Sequence, residues 1–228
     1  MTTRESLLRA RGLSKSYRRG PEEVHALVGA DFELFRGELV GLVGPSGSGK
    51  TTLLNLIVGW EEADEGSLEW AADPTPAADR PWSELAILPQ RVGLVEELTV
   101  SENVGLPLRL SGSASGERAS FLLDQFGLAP LSGRIPSEIS LGEQQRTGLA
   151  RALIGSPALL LADEPTGHQD AMWAHGVFRA LLAATERGTT SLIATHNEEV
   201  LKYLDRVLAI RDGRVHEKAP VQREQGAH

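Results

Sequence analysis

The chain contains 228 residues, of which 41% are apolar and 24% are charged, as in an ordinary globular protein. This length predicts one domain, with room for a smaller inserted lobe, and it is enough to bury a full α/β core. The net charge of −8 argues against a basic nucleic-acid-binding surface, so we expect no nucleic-acid partner. Because the chain has no cysteine, disulfides, thiolate metal sites and cysteine nucleophiles are excluded.

The sequence shows neither a signal-peptide pattern nor an apolar run that approaches the ~18 residues of a membrane span. We therefore expect a cytoplasmic protein that reaches a membrane only through a partner.

The first elements in chain order are strands. Residues Leu7 to Leu13 are strand-like, and apolar and acidic residues alternate over 30–34, which predicts a strand with one wet face. The apolar run 39–43 predicts a buried strand, and Thr51 to Val58 predicts a helix that Gly59 ends.

Between that strand and that helix, residues Gly44 to Thr51 read GPSGSGKT, which has the phosphate-loop spacing G-x-x-x-x-G-K-[ST]. A glycine loop at this place lets backbone N–H groups close on phosphate oxygens at the positive end of the helix dipole. Lys50 supplies a cation for the β- and γ-phosphates, and the Thr51 hydroxyl is a ligand for Mg²⁺. The alternative is a glycine-rich turn at a helix start that holds no ligand.

The middle of the chain changes character. Residues 71–83 contain three prolines and are predicted to form a loop, which is followed by a strand at 85–88. From about Val92 to Ser137 we expect helices separated by glycine and serine breaks, one opening at Ser101 and another running from Ser115 to Phe126. This stretch is interpreted as an inserted helical lobe.

The rest of the chain alternates helices with strands, which predicts a mostly parallel sheet flanked by helices. The polar tail from Glu217 is predicted to be disordered. The predicted helices cover 140–154, 172–187 and 197–204, the predicted strands cover 158–162, 191–194 and 207–210, and a turn is expected at 212–213.

The apolar strand before residue 163 ends in two carboxylates, Asp163 and Glu164. Ligands of open α/β sheets bind at such strand ends. Asp163 is placed to hold Mg²⁺, and Glu164 is placed to polarise an attacking water. An acidic pair alone is equally well explained by a solvated loop. Combined with the phosphate loop, it predicts that the chain holds a nucleoside triphosphate and hydrolyses it.

Five further segments stand in the order and approximate spacing of one known family. They are Tyr17 in a strand, Gln90 after a strand, Ile139 to Glu143 before a helix, Pro165 to Asp170, and Ile193 to His196. Together with the phosphate loop and the acidic strand end, they make the chain resemble the nucleotide-binding subunit of an ATP-binding cassette (ABC) transporter over nearly its whole length.

The resemblance implies a role for each segment. Tyr17 would stack on adenine, Gln90 would contact Mg²⁺ and the γ-phosphate, and His196 would sense the γ-phosphate. The segment after Ile139, called the signature segment below, would close over ATP held by the opposite subunit, which Asp170 would also contact. The signature residues are Ser140, Leu141, Gly142 and Glu143.

Motif and resemblance together assign three groups of site residues. The catalytic group is Glu164, His196 and Lys50. The ATP-binding group is Tyr17, Gly44, Pro45, Ser46, Gly47, Ser48, Gly49, Lys50, Thr51, Thr52 and Gln90. The metal group is Thr51, Gln90 and Asp163.

Two segments depart from the family pattern. Leu141 stands at the first signature glycine, and it should weaken the segment if that position needs a positive φ or a close approach to phosphate. Ser140-x-x-Glu143 is also a capping box, which any helix uses, and both interpretations can hold together. In the other segment, His168 and Gln169 replace the usual small polar residue and leucine; we interpret His168 as a surface histidine.

The expected fold is an α/β P-loop ABC cassette. A RecA-like core would cover 1–91 and 138–216 together with a small antiparallel β subdomain from the first strands. A helical subdomain would cover 92–137, and a flexible tail would cover 217–228.

The expected function is Mg²⁺-dependent ATP hydrolysis by a subunit that dimerises head-to-tail with a second cassette, as a homodimer or a heterodimer. That subunit would drive a separate transmembrane permease from the inner face of the membrane. Two alternatives stay open: an ATPase that mainly clamps a membrane or cell-wall partner as a signal, and an ABC ATPase that works away from membranes. The stretches 94–108 and 165–167 resemble ATPases of lipoprotein-release and macrolide-export systems. The transported substrate and its direction are not indicated.

Overall fold

The computed structural model describes residues 4–71, 75–114, 116–167 and 171–218. The chain divides into two compact units. The first unit consists of the residues up to Arg80 and those from Thr190 onward, and the second consists of Pro81–Thr189.

The first unit contains a three-stranded antiparallel sheet. Strand β1 (Ser6–Arg19) lies between β2 (Glu22–Phe35) and a later strand, β4 (Glu65–Trp70). Alternate side chains are buried near the end of β2, and Arg9 pairs with Glu33 across the two strands at 2.6 Å on the wetter face. The two predicted strands are confirmed, although β1 continues past Leu13, whereas β4 was not predicted.

The same unit contains parallel strands. Strand β3 (Leu39–Val43) pairs in parallel with both β7 (Thr190–Thr195) and β8 (Arg206–Arg211), and β9 (Arg214–Glu217) pairs antiparallel with β8. The residues of β7, and all of β3 except its last residue, are buried, as expected for strands covered on both faces.

Helix α1 (Lys50–Val58) follows β3 and buries Leu53, Leu54 and Ile57. It ends at Gly59, whose φ of 77° lies in the left-handed region that favours glycine, so the predicted helix stop is confirmed. Short 3₁₀ helices cover Ala77–Asp79 and Glu198–Tyr203; the second was predicted as an ordinary helix.

The predicted turn at Asp212-Gly213 joins β8 to β9, and both residues have positive φ, 49° and 72°. The tail was predicted to begin at Glu217. In the structure this residue is the last of β9 and pairs with Leu208, because the turn folds the chain back along β8. Residues 219–228 lie outside the described part of the chain.

The second unit contains a parallel pair of strands, β5 (Leu85–Leu88) and β6 (Leu159–Asp163). Between and after them lie four helices. These are α2 (Val100–Leu110), α3 (Gly116–Gln125), α4 (Leu141–Leu153) and α5 (Ala171–Glu186). The described residues between Val92 and Ser137 form helices and connecting loops and contain no strand.

The start of α2 differs from the prediction by two residues. Thr99 is the N-cap: its hydroxyl accepts from the Glu102 N–H, and the Glu102 carboxylate accepts from the Thr99 N–H at 2.9 Å. This capping box satisfies the first amide groups of the helix before Ser101 is reached, so Ser101 lies inside the first turn. Every helix in the described ranges is too short or too polar to cross a bilayer.

Candidate functional site

The loop between β3 and α1 is built around glycine. A Cβ on Gly44 would lie well inside 3.0 Å of the Ile210 carbonyl oxygen and 2.8 Å from the Ser48 Oγ. A Cβ on Gly49 would overlap in the same way with the Ala26 carbonyl oxygen. Gly49 also has a φ of 107°, outside the range of residues with side chains. The backbone therefore packs closely at both ends of this loop.

The ammonium group of Lys50 lies over the same loop. Its Nζ donates to the carbonyl oxygens of Gly44 at 2.8 Å and Pro45 at 3.0 Å, and the residue is only 8% exposed. These bonds hold the cation where the loop closes, next to the first turn of α1. The Ser48 Oγ is buried and has no hydrogen-bond partner within the described ranges.

The residues of this loop fit an anionic ligand. The N-cap Gly49 offers no side-chain acceptor to the first turn of α1, and that turn contains no acidic residue. The N–H groups at a helix start point outward and carry the positive end of the dipole. Together with the Lys50 cation, they form the kind of site that binds phosphate groups.

Tyr17 is held by its hydroxyl group. That hydroxyl donates to the Glu61 carboxylate and lies 3.5 Å from the Thr52 Oγ1, and Asn55 donates to the other Glu61 oxygen at 2.7 Å. Burial, followed by the hydrogen bond to Glu61, raises the pKa of the Tyr17 hydroxyl above its usual value. The Tyr17 side chain is thereby bonded to Glu61 and lies next to α1.

Glu61 was missed by the sequence analysis. Its position after the end of α1 is typical of a solvated loop, and nothing in the local pattern distinguishes it from Glu62. Only the pairing of β1 with the other strands brings Tyr17 close enough to bond with it.

A cleft of about 520 Å³ opens beside the phosphate loop. Its walls come from the loop, from β2 and from the turn between β8 and β9. The lining residues are His25, Val28, Pro45, Ser46, Gly47, Ser48, Asp212, Gly213 and Arg214. His25 was interpreted as a surface or packing histidine. Its Nδ1 lies 2.8 Å from the Ser16 Oγ, which anchors the ring at the edge of this cleft.

In the second unit, the two acidic residues lie where the sequence predicted. Asp163 ends β6 and is 4% exposed. Glu164 is half-buried and has a φ of 52°, which is uncommon for a residue with a side chain. The Glu164 carbonyl oxygen accepts from Gln145 Nε2 at 2.6 Å and from the Gly167 N–H at 3.1 Å.

The sequence analysis did not single out Gln145 either. It lies within α4 and is 3% exposed, on the face that also carries the buried Leu149 and Leu153. An amide at a buried position of a helix must find hydrogen-bond partners. A glutamine among the buried positions of α4 was the signal in the sequence that could have indicated a specific hydrogen bond there.

Gln90 follows β5 and is exposed. The chain just beyond it is held by Arg151 of α4, which donates to the Val92 carbonyl oxygen at 2.7 Å and to that of Gly93 at 3.1 Å. The Arg151 guanidinium is largely buried, which lowers its pKa below the usual value.

The signature segment forms the start of α4 as a capping box. The Ser140 hydroxyl accepts from the Glu143 N–H at 3.3 Å, and the Glu143 carboxylate accepts from the Ser140 N–H at 2.7 Å. The backbone bond from Ser140, followed by its hydroxyl, lowers the pKa of Glu143. Leu141 is the first helical residue, has no positive φ, and is 62% exposed. Its side chain therefore stands on the surface, and Gly142 follows it in the first turn.

His196 is exposed and directly follows β7. Because β3 and β7 are parallel neighbours with Val43 opposite Thr195, Gly44 and His196 leave the sheet at the same edge. His168 and Asp170 lie outside the described residues.

The second unit repeats this arrangement at its own strand ends. In β5 and β6, Leu88 lies opposite Ala162, so Gln90 and Asp163 leave these two strands at a common edge.

The donor set assigned to a metal consists of a hydroxyl, an amide oxygen and a carboxylate, from Thr51, Gln90 and Asp163. Hard oxygen ligands of this kind suit Mg²⁺, which is usually held by one or two carboxylates together with substrate phosphates. Across the described part of the chain, no group of three or more His, Asp or Glu residues is arranged to hold a metal ion. The chemistry of these three donors is that of a Mg²⁺ ion bound together with a phosphate ligand.

Comparison with known proteins gives consistent matches. The sequence model of the ABC transporter family matches residues 27–167. The lipoprotein-releasing system ATP-binding protein LolD of Gluconobacter oxydans is 42% identical over 226 residues, which cover 94% of this chain and 97% of the relative. LolD 2 of Caulobacter vibrioides is 39% identical and covers 92% and 96%.

Among solved structures, an ATP-binding cassette determined as a dimer in a post-hydrolysis state, bound to ADP and Pi, superposes with a TM-score of 0.84. It is 31% identical, and the match covers 93% of this chain and 98% of that one. A dimeric bacterial ABC transporter cassette gives a TM-score of 0.85 at the same identity and the same coverage.

Proposed function

This chain belongs to the ABC transporter family and is an ATPase of that family, and from that premise we propose that it is the ATP-hydrolysing subunit of a lipoprotein-release type transporter. The observation that carries the proposal is the loop from Gly44 to Lys50, where packing excludes side chains at both ends and a buried cation lies over the backbone. The relatives matched over more than nine-tenths of the chain are named as ATP-binding proteins of lipoprotein-releasing systems, which supports this subclass.

ATP binds to the phosphate loop. The loop amides and the Lys50 ammonium group bind the phosphates, with Thr52 in the first turn behind them. Tyr17 stacks on the adenine ring. The hydrogen bond from its hydroxyl to Glu61 restricts the rotation of the side chain. Because the ring is already restrained, it loses less conformational entropy when the base binds.

Three side-chain oxygens would hold a Mg²⁺ ion: the Thr51 hydroxyl, the Asp163 carboxylate and the Gln90 amide. When bound, the ion would supply positive charge that offsets the negative charge of the phosphates. Glu164 accepts the proton of the attacking water, and its position after a buried strand limits its mobility. His196 bonds to the γ-phosphate and keeps the water in line.

The active form is a head-to-tail dimer with a second cassette. The signature residues Ser140 to Glu143 close over the ATP of the opposite subunit with the N-terminus of α4, and Asp170 contacts that subunit. If the two subunits are identical, the interface is isologous. Dimeric neighbours at 31% identity support this assembly.

ATP binding closes the dimer, and hydrolysis releases it. The movement passes to a transmembrane permease through the Gln90 segment and the helical subdomain at 92–137. The subunit therefore works at the inner face of the membrane, bound to that permease.

The test of this function is the substitution Glu164→Gln. It should leave ATP binding intact and lower turnover by roughly 10²–10⁴-fold, the usual contribution of a general base. With the γ-phosphate retained, the variant should accumulate as an ATP-loaded dimer, measured by analytical ultracentrifugation. Glu117→Gln, at an exposed position of α3, is the matched control and should keep wild-type turnover. Full turnover in Glu164→Gln would remove the carboxylate from its role.

One observation favours the clamping alternative. Leu141 places an exposed apolar side chain where the signature segment is expected to meet the opposite nucleotide. If the chain mainly clamps its partner, steady-state ATP hydrolysis should stay below one turnover per minute even with the detergent-solubilised permease present, on the order of a hundredfold below common enzyme rates. Hydrolysis that rises when the permease is added would support the transport function.

A further inference from the structure

The backbone at Glu164 is held in an uncommon conformation. Its φ of 52° belongs to the left-handed region, which residues with a Cβ seldom adopt unless neighbouring groups hold them there. The residue lies directly after β6, so the carbonyl oxygen of Glu164 turns out of the strand pattern. Something outside the strand must therefore satisfy this oxygen and keep the peptide in place.

Two donors bind that carbonyl oxygen. The Gly167 N–H, at 3.1 Å, belongs to the same turn. Gln145 Nε2, at 2.6 Å, comes from α4, and Gln145 is 3% exposed. A buried amide that loses its acceptor is not compensated by water, so this bond resists breaking. Through this bond, Gln145 ties the Glu164 peptide to α4.

Two arginine side chains of α4 fix the position of this helix against neighbouring segments. The guanidinium of Arg146 donates to the Phe126 carbonyl oxygen at 3.0 Å and lies 4.0 Å from the Trp173 ring. Arg151 donates to the carbonyl oxygens of Val92 and Gly93. These contacts hold α4, and with it the Gln145 amide, against the segments that carry Phe126, Trp173 and Val92.

The signature segment is at the start of the same helix. Leu141 precedes Gln145 by four residues, which is about one helical turn, so both lie on neighbouring turns of one rigid helix. A displacement of the signature end is transmitted to the Gln145 amide without any intervening loop.

We propose that Gln145 is a positioning residue that fixes the Glu164 carboxylate through its backbone and so couples the signature segment of a subunit to that subunit's own hydrolytic site. This coupling rests on the proposed roles of Glu164 and of the signature segment. In a head-to-tail dimer, the signature end meets the nucleotide of the opposite subunit, whereas Glu164 acts on the nucleotide of its own. The buried hydrogen bond between Gln145 and Glu164 then links the two composite sites.

The test is Gln145→Met, which keeps the length of the side chain and removes the donor. Measured on the full chain with MgATP, kcat should fall roughly 10- to 100-fold, because a displacement on the order of 1 Å at a reacting group costs about that much. The KM for ATP should stay within about twofold, since the substitution removes a transition-state effect and leaves binding in place.

Thr147→Val is the matched control. Thr147 lies on the same helix, is fully buried, and its hydroxyl donates to the Glu143 carbonyl oxygen at 2.8 Å within α4. This variant gives up one buried hydrogen bond without altering the Glu164 carbonyl, so it should lower the unfolding midpoint about as much as Gln145→Met and keep wild-type kcat. If both variants lose kcat equally, the effect is one of stability and the coupling is wrong.

A double-mutant cycle separates the proposal from its premise. In the Glu164→Gln background, adding Gln145→Met should slow single-turnover hydrolysis no further, because the carboxylate that it positions is already absent. A further multiplicative loss contradicts the coupling. If Glu164→Gln is inactive while Gln145→Met hydrolyses ATP like the wild type, only the coupling fails. If Glu164→Gln itself keeps full turnover, the proposed function fails and the coupling falls with it. Should Gln145→Met not fold, Gln145→Asn, which keeps an amide too short to reach, must give the same loss of kcat.

Discussion

The two positive-φ glycines of the phosphate loop make a matched pair for a stability test. At Gly49, alanine would combine a φ of 107° with a Cβ that overlaps the Ala26 carbonyl oxygen. At Gly47, φ is 77° and no atom lies within 4 Å of the added Cβ. The two substitutions are chemically the same, and only the packing around the added methyl group differs.

The magnitudes follow from these two surroundings. The left-handed backbone costs an alanine about 1–2 kcal/mol at either position. At Gly49, the overlap with a backbone atom adds about 1–3 kcal/mol, because neither the loop nor β2 can shift without breaking other contacts. We therefore expect Gly49→Ala to be less stable than Gly47→Ala by about 2 kcal/mol.

Thermal unfolding followed by circular dichroism measures this difference. For a chain of this size, about 2 kcal/mol corresponds to roughly 4–8 °C in Tm. Urea titration supplies the free energies of unfolding directly, with equal m values as the check that the unfolded states match. If the two variants unfold at the same temperature, or if Gly47→Ala is the less stable, the close packing at Gly49 does not limit the loop.

Two other predictions concern the signature segment and a buried ion pair. Leu141→Gly should raise the ATPase rate of the homodimer by roughly tenfold or more, because unhindered backbone donors at a charged transition state contribute at least that much. The substitution should change stability little, because Leu141 is 62% exposed. An unchanged rate would show that the leucine does not obstruct the site. Arg206→Met removes the 2.7 Å partner of buried Glu38 and should cost about 3–5 kcal/mol at pH 8 in urea unfolding. Burial raises the pKa of Glu38 above its usual value in the folded chain, so its contribution to stability is present at low pH and lost as the pH rises through the folded pKa. Losing Arg206 raises that pKa further, so the deficit of the variant should shrink between pH 8 and pH 5, and a deficit that is constant with pH would contradict this.

Most elements were predictable because their signals are local. The five residues of β3 form an uninterrupted apolar run, and Gly59 ends α1 with a left-handed φ. Strand β4 was missed because its central residues alternate only weakly and it is stabilised by pairing with β1 rather than by its own composition. At α2 the local signal is the capping box of Thr99 and Glu102, which lies two residues before the predicted start at Ser101.

The hydrogen bonds between distant residues of the candidate site were not predictable in the same way. Glu61 reaches Tyr17 from a position 44 residues away, and Gln145 reaches Glu164 from 19 residues away. Neither pair has a spacing that a helix or a strand would reveal. They form because β1 pairs beside β4 in the first unit and because α4 packs near the end of β6 in the second.

The sequence by itself determined the chemistry that this protein carries. The order of glycines, Lys50 and Thr51 after an apolar strand, and of two acids after another, specifies backbone and side-chain groups within single turns, where neighbours along the chain are neighbours in space. The tertiary structure decided how those groups are held: the overlap that forbids a side chain at Gly49, and the buried Gln145 amide that donates to the Glu164 carbonyl oxygen. These are contacts between distant segments, and their geometry depends on packing that no local pattern encodes.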